Sequence, residues 1–247
     1  MDLVSIITPM YNAERYVEDT IKSVLNQTYK NWEMIIVDDC SNDNSPEIVK
    51  KYADIDERIV YIKVDSNKGV SHARNIALKT AKGRYIAFLD SDDIWKEEKL
   101  NEQINFMNET GAVICFTSYE LIDENSNALN KIIKAPQMTQ YKKLLKGNVI
   151  GSLTVLIDKE KLDFEIKLEG VPHEDYVLWL AILKRGYNAY GIDKSLAYYR
   201  KSSKSLSGNK IKAAKWTWNI YRNIEKIPLH KAIYYFVNYA INGIKKS

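Results

Sequence analysis

Cysteine is scarce in this chain of 247 residues, and its absence narrows the fold class at once. Cys40 and Cys115 are too few for a disulfide framework, and neither has a neighbour at metal-finger spacing. A reducing compartment is therefore expected. Long apolar runs are also missing. None reaches ~18 residues, which argues against a spanning helix. The first residues lack a basic segment, and Pro9 interrupts the apolar stretch behind them, which argues against a secretion signal. No glycine is followed by lysine and no G-x-G-x-x-G occurs, so a P-loop and a dinucleotide fingerprint are absent. Low-complexity tracts and internal repeats are missing too. With 45% hydrophobic residues, the chain has ample material for a core.

Charge of one sign does not dominate, since the formal net charge is only +4. It is unevenly placed. Arg200–Ser247 carries eleven Lys or Arg against one acid, Glu225, so the rest of the chain is mildly acidic. That excludes a uniformly basic nucleic-acid binder and leaves a local patch for anionic partners.

What is present is alternation. Apolar, β-branched runs at 3–8, 33–37, 59–64, 85–89 and 112–116 read as buried strands. Between them, helical spacing marks 13–26, a segment opened by Ser45-Pro46, 70–81 and 96–108. This pattern predicts a mostly parallel, Rossmann-like sheet with helices on both faces. In such sheets the site lies beyond the carboxyl ends of the strands. Those ends carry Thr8-Pro9-Met10-Tyr11, Asp38-Asp39 and Asp90-Ser91-Asp92-Asp93. Further along, 123–135 reads as a hairpin or loop, 153–157 as a strand and 174–184 as a helix.

The acids carry the chemistry. Asp90 and Asp92 stand two apart in a turn, where both reach a common hard cation that bridges to phosphates. The plainer role for Asp92 or Asp93 is to cap a helix starting near Ile94. Asp38 and Asp39 offer a carboxylate for a base N–H, or an Asx turn. Arg74, near the start of a helix, reaches either a phosphate or base edge, or solvent. Glu174 and Asp175 open an apolar helix, as dipole partners or as a general base.

Together the segments 4–12, 23–29, 36–41, 69–75, 88–93 and 174–176 resemble family 2 glycosyltransferases, over about residues 3–205. The resemblance implies a GT-A fold, with a nucleotide-binding half over 1–95 and an acceptor half over 96–205. It implies inverting transfer from a nucleotide-sugar, with UDP the expected nucleotide, to a glycan or lipid-linked acceptor. By the same resemblance, Thr8, Pro9, Tyr11 and Asp39 line the nucleoside pocket and Asp90 touches the ribose. Asp92 holds Mn²⁺ or Mg²⁺ on the diphosphate, and Asp175 is the base, with Glu174 beside it.

Two departures from the family pattern stand out. No Q-x-x-R-W follows the base, which points to addition of a single sugar. Ser202 stands where many relatives have histidine after Tyr-Tyr-Arg, here Tyr198-Tyr199-Arg200, and Lys204–Ser207 offers an alternative phosphate-binding loop. Two other readings are a sugar-phosphate nucleotidyltransferase, whose Gly-rich loop is missing after the first strand, and a non-catalytic nucleotide-sugar scaffold.

Residues 206–247 read as a basic, helical C-terminal extension. Ile233, Phe236, Val237, Ala240, Ile241 and Ile244 share one face of its last helix. That face either docks on the core or lies on an anionic leaflet. The expected location is cytoplasmic, with peripheral contact at the cytoplasmic face of a membrane.

Overall fold

Val4–Met10 is buried along its whole length, because Val, Ile and Thr fill a pleated surface covered on both faces. In the computed structural model, which describes residues 2–201 and 210–245, this segment is β1, inside one ten-stranded sheet. β2 (Trp32–Asp38) and β4 (Tyr85–Phe88) flank it, and β3 (Ile59–Lys63) lies beyond β2. All three pairings are parallel. The alternation expected from the sequence is realised here. Helices α1 (Val17–Leu25), α2 (Ser45–Ala53) and α3 (Val70–Thr80) connect the strands. Ile7, Ile35, Val37 and Phe88 face Ala73 and Ala77 of α3. Ile6, Met10, Met34 and Ile36 face Val17, Ile21 and Val24 of α1. A period of two on β1 thus feeds two cores.

Beyond β4 the pairing is mixed. β5 (Ile94–Trp95) and α4 (Lys99–Thr110) precede β6 (Ile114–Ile122), and β7 (Ala128–Ile133) folds back on β6 as the expected hairpin. β8 (Met138–Thr139), α5 (Tyr141–Leu144), β9 (Leu156–Asp158), α6 (Glu174–Lys184) and β10 (Ala189–Arg200) follow. β9 bridges β4 and β6, antiparallel to both, and β10 runs parallel to β6. No helix starts near Ile94, so Asp92 and Asp93 are not helix caps. That segment is β5, paired antiparallel with β10, and α4 begins at Lys99. β10 escapes sequence patterning because two register shifts, around Ser195, break its alternation.

The C-terminal extension is helical, as expected: α7 (Lys210–Asn219), one π turn (Ile220–Ile224) and α8 (Leu229–Lys245). Ile220, Tyr221, Ile227 and Ala232 are buried in the same core as α6. Docking on the core therefore holds for one face of the extension. That face presents Ala232, Tyr235 and Phe236; of the residues expected to dock, Phe236 does, while Ile233, Val237 and Ile241 stay exposed. Ser202 and Lys204–Ser207 lie outside the described residues.

Lys99 is wholly buried in the second core. Its Nζ donates to Gln103 Oε1 at 2.6 Å and sits 4.0 Å from the Trp95 ring centre. Burial pushes its ammonium down to about 7, and burial pushes the nearby Cys115 thiol up to about 12. A lowered base means that the unfolded chain binds more protons between these pH values, so Lys99 makes stability rise with pH above about 7. Cys115 acts in the opposite sense, but only above its unfolded value of about 8.5. Between pH 7 and 8.5, wild-type unfolding free energy is expected to climb relative to Lys99→Met by about 1.4 kcal/mol per pH unit. Urea titrations across that window check this, and parallel curves refute it.

Candidate functional site

The carboxyl ends of β1, β2 and β4 deliver the predicted residues to one edge of the sheet. Thr8 and Pro9 are buried within β1. Tyr11, just past the strand, is 48% exposed.

After β2 the two acids divide their work. Asp38 turns the chain, accepting Ser41 N–H at 2.8 Å and the Tyr61 hydroxyl at 2.8 Å. Asp39 accepts backbone N–H groups from Lys68 (2.9 Å) and Gly69 (2.7 Å), one on each oxygen. Gly69 has φ +89°, which a side chain would strain, and α3 begins directly after it. Asp39 thus fixes the loop that launches α3, and each oxygen retains a further lone pair.

Arg74, one turn into α3, is expected either at a phosphate or base edge or in solvent. It is 4% exposed, so it is not the solvated arginine of the second reading. Its Nη1 donates to Glu174 Oε1 at 2.6 Å, and its Nη2 pairs with Asp90 Oδ1. The planar fork satisfies two carboxylates from opposite sides of the site, which an ammonium does less well. The guanidinium thereby links the end of β4 to the start of α6.

Asp92 is half-buried. Burial, reinforced by the Asp90 charge, pushes its carboxyl up to about 6. Asp93 is buried, and burial together with Asp92 and Asp90 pushes it well above the usual carboxylate range. It accepts Arg200 N–H at 2.9 Å. The Arg200 Nε donates to the Asp92 carbonyl at 2.8 Å. Arg200 is 2% exposed and stacks over Tyr16, with 4.5 Å from guanidinium to ring centre. It clamps the acidic turn, a positioning role that sequence reasoning missed. Its signal was the Tyr198-Tyr199-Arg200 motif, read only for the residue that follows.

Glu174 and Asp175 open α6 behind His173, which adopts a left-handed φ of +60°. Burial raises both carboxyls, and the Arg74 charge offsets part of that rise. Glu174 is committed to Arg74, whereas Asp175 forms no ion pair with any described residue. A half-buried, raised carboxylate at a helix start is suited to accept a proton.

Among the described residues, no cluster of three or more His, Cys, Asp and Glu side chains can hold a metal. Asp92 and Asp90 supply two carboxylates at most. That donor set fits Mg²⁺ or Mn²⁺ completed by water and substrate phosphate oxygens, rather than an all-protein cage.

The family model described as "Glycosyl transferase family 2" matches residues 5–162. TuaG of Bacillus subtilis (strain 168), a glycosyltransferase named for teichuronic acid biosynthesis, is 48% identical over 99% of this chain and 97% of its own. WfgD of Escherichia coli, a UDP-Glc:alpha-D-GlcNAc-diphosphoundecaprenol beta-1,3-glucosyltransferase, is 44% identical over 99% and 94%. Among solved structures, S. aureus TarS 1–349 with UDP-GlcNAc superposes with a TM-score of 0.70 at 22% identity, covering 90% of this chain and 67% of that one. The Pyrobaculum calidifontis mannosyltransferase PcManGT, with GDP-Man and Mn²⁺, gives 0.69 at 16%, covering 91% and 64%. These likenesses match the GT-A fold, and the sequence matches set aside the nucleotidyltransferase reading. With a family model spanning most of its length and full-length relatives above 40% identity, the chain belongs to glycosyltransferase family 2.

Proposed function

We propose that the chain transfers a single sugar, with inversion, from a UDP-sugar to a hydroxyl of a lipid-diphosphate-linked glycan. One observation carries the reading: Arg74 ties the acidic turn after β4 to the Glu174-Asp175 pair, setting a metal-type carboxylate turn against a base-type carboxylate. The UDP-sugar and the lipid-linked acceptor are supported by the activity for which WfgD is named.

Tyr11 offers a stacking face to the base, and Asp39 offers its remaining lone pairs to a base N–H. Thr8 and Pro9 floor this pocket, and Asp90 meets the ribose. Asp92, with Asp90, would hold the divalent cation, which supplies charge neutralisation on the diphosphate. Asp175 takes the proton of the acceptor hydroxyl. The acceptor oxygen then bonds to the anomeric carbon from the face opposite the diphosphate, and the carbon–oxygen bond to the diphosphate breaks with its electron pair. Fixing both ends in one rigid frame lowers the entropic part of the barrier. A lipid-linked acceptor brings the reaction to a bilayer surface.

Thermal unfolding with UDP tests the donor half. UDP with Mn²⁺, at ~100-fold above its Kd, is expected to stabilise the chain by about 2.7 kcal/mol. Chelator or Asp92→Ala is expected to remove the metal-dependent part. Equal stabilisation with and without chelator, in wild type and variant alike, overturns the metal assignment. Preference for GDP over UDP overturns the donor.

A further inference from the structure

α8 has two apolar faces, and the fold uses one of them. Leu229, Ile233, Val237 and Ile241 point away from the core, each between 47% and 54% exposed. They are spaced four residues apart, so they form a stripe that winds gradually across the outer surface of the helix. Aliphatic side chains in one line are a patch, not scattered surface apolarity. α7 extends it. Between the two helices runs an open groove of about 810 Å³, with Ile211, Trp218, Ile233 and Val237 in its wall and Lys215 and Arg222 at its edge. No described helix is long and apolar enough to cross a membrane.

Charge selects the occupant. Residues 210–245 contain seven Lys or Arg and one acid, Glu225. Glu225 is turned inward, accepting from the Tyr141 hydroxyl at 2.6 Å and from Lys184 Nζ at 2.9 Å. The outer surface of the extension therefore shows cations without an exposed acid. Lys146 adds another, 5.3 Å from the centre of the Tyr234 ring. A second copy of this chain would bring the same positive charge against it, which disfavours self-association. A surface of negative headgroups over hydrocarbon matches both the stripe and its flanks.

The geometry points to α7 and α8 as a platform that lies in the plane of an anionic bilayer, with the 229–241 stripe and Ile211 in its interfacial layer. The platform is joined to the site. Trp216 of α7 packs edge-on against His173, at 5.3 Å between ring centres, directly before Glu174-Asp175. Docking therefore anchors the base end of the site at the membrane. Binding to the bilayer stands on the surface alone, and only its link to a lipid-linked acceptor rests on the proposed function.

Co-sedimentation of the full chain with phosphatidylcholine vesicles, with and without phosphatidylglycerol, tests this. Binding is expected to require the anionic lipid and to weaken with salt. Ile233→Asp with Val237→Asp, both exposed, is expected to abolish it. Lys215→Glu and Lys231→Glu are each expected to weaken it at least about fivefold. All these variants are expected to keep the wild-type melting temperature and UDP response, so a failed platform is distinguishable from a failed donor site. Binding to neutral vesicles as strong as to anionic ones, or no binding at all, overturns the platform. Binding unaffected by the Asp pair does the same. A wild-type dimer that those substitutions dissociate, without vesicle binding, makes the face an interface between copies instead.

Discussion

Asp175→Asn is expected to lower the rate of sugar transfer by about 10²–10⁴, the usual contribution of a general base. The substitution keeps the shape and removes the proton acceptor. UDP and Mn²⁺ binding are expected to stay near wild type, because Asp175 makes no ion pair with the turn after β4. The loss belongs in kcat, since the interaction is made as the proton moves. Burial raises the Asp175 carboxyl, so the acid limb of the wild-type rate profile is expected above the ordinary aspartate value. Activity rises with pH there, because the deprotonated form is the active one. Single-turnover measurements with a radiolabelled donor check both points. Full turnover in Asp175→Asn removes the role from this residue. Glu174→Gln then becomes the next test, although Glu174 is already held by Arg74 at 2.6 Å.

Much of the frame was legible in the sequence, for a local reason. β1, β2 and β4 are apolar runs bounded by polar turns, and the sites at their ends follow from the direction of the strands. The acids at 38–39, 90–93 and 174–175 were visible on the same ground. What was not legible depends on distant partners. Nothing near Arg74 announces that its fork closes on Asp90 and Glu174, the latter one hundred residues away in sequence. Nothing near Asp39 shows that the N–H groups of Lys68 and Gly69 cap its oxygens. β10 was hidden by its register shifts, and β5 is too short to carry a period. In α8, apolar residues also lie beside the face that periodicity picked out, and the helix is rotated so that Ala232, Tyr235 and Phe236 meet the core. Tertiary packing made that choice, burying Ala232 and leaving Ile233 outside.

Arg74→Met is expected to be the most damaging change to stability in the site. It removes the shared partner of two carboxylates, Asp90 and the buried Glu174. Breaking a buried pair from one side costs about 3–5 kcal/mol, because the remaining charge is left uncompensated. In a chain of this size that lowers the melting temperature by roughly 6–20 °C. The pH dependence identifies the cause. Without Arg74, the largest influence that lowers Glu174 is gone, and burial raises its carboxyl further. A folded-state value above the unfolded one gives stability that is present at low pH and lost as pH rises. The gap between wild type and Arg74→Met is therefore expected to be small near pH 4.5 and to widen towards pH 8. Arg74→Lys keeps the charge but not the planar fork. It is expected to recover most of the stability yet still transfer sugar about 10²-fold more slowly, the scale of a misplacement near 1 Å. Melting curves of the three proteins at both pH values, with transfer rates at saturating donor, separate the roles. If Arg74→Met melts with wild type at pH 8, the two halves of the site are not held together through this guanidinium. If Arg74→Lys transfers sugar at the wild-type rate, a charge alone suffices and the fork has no positioning role.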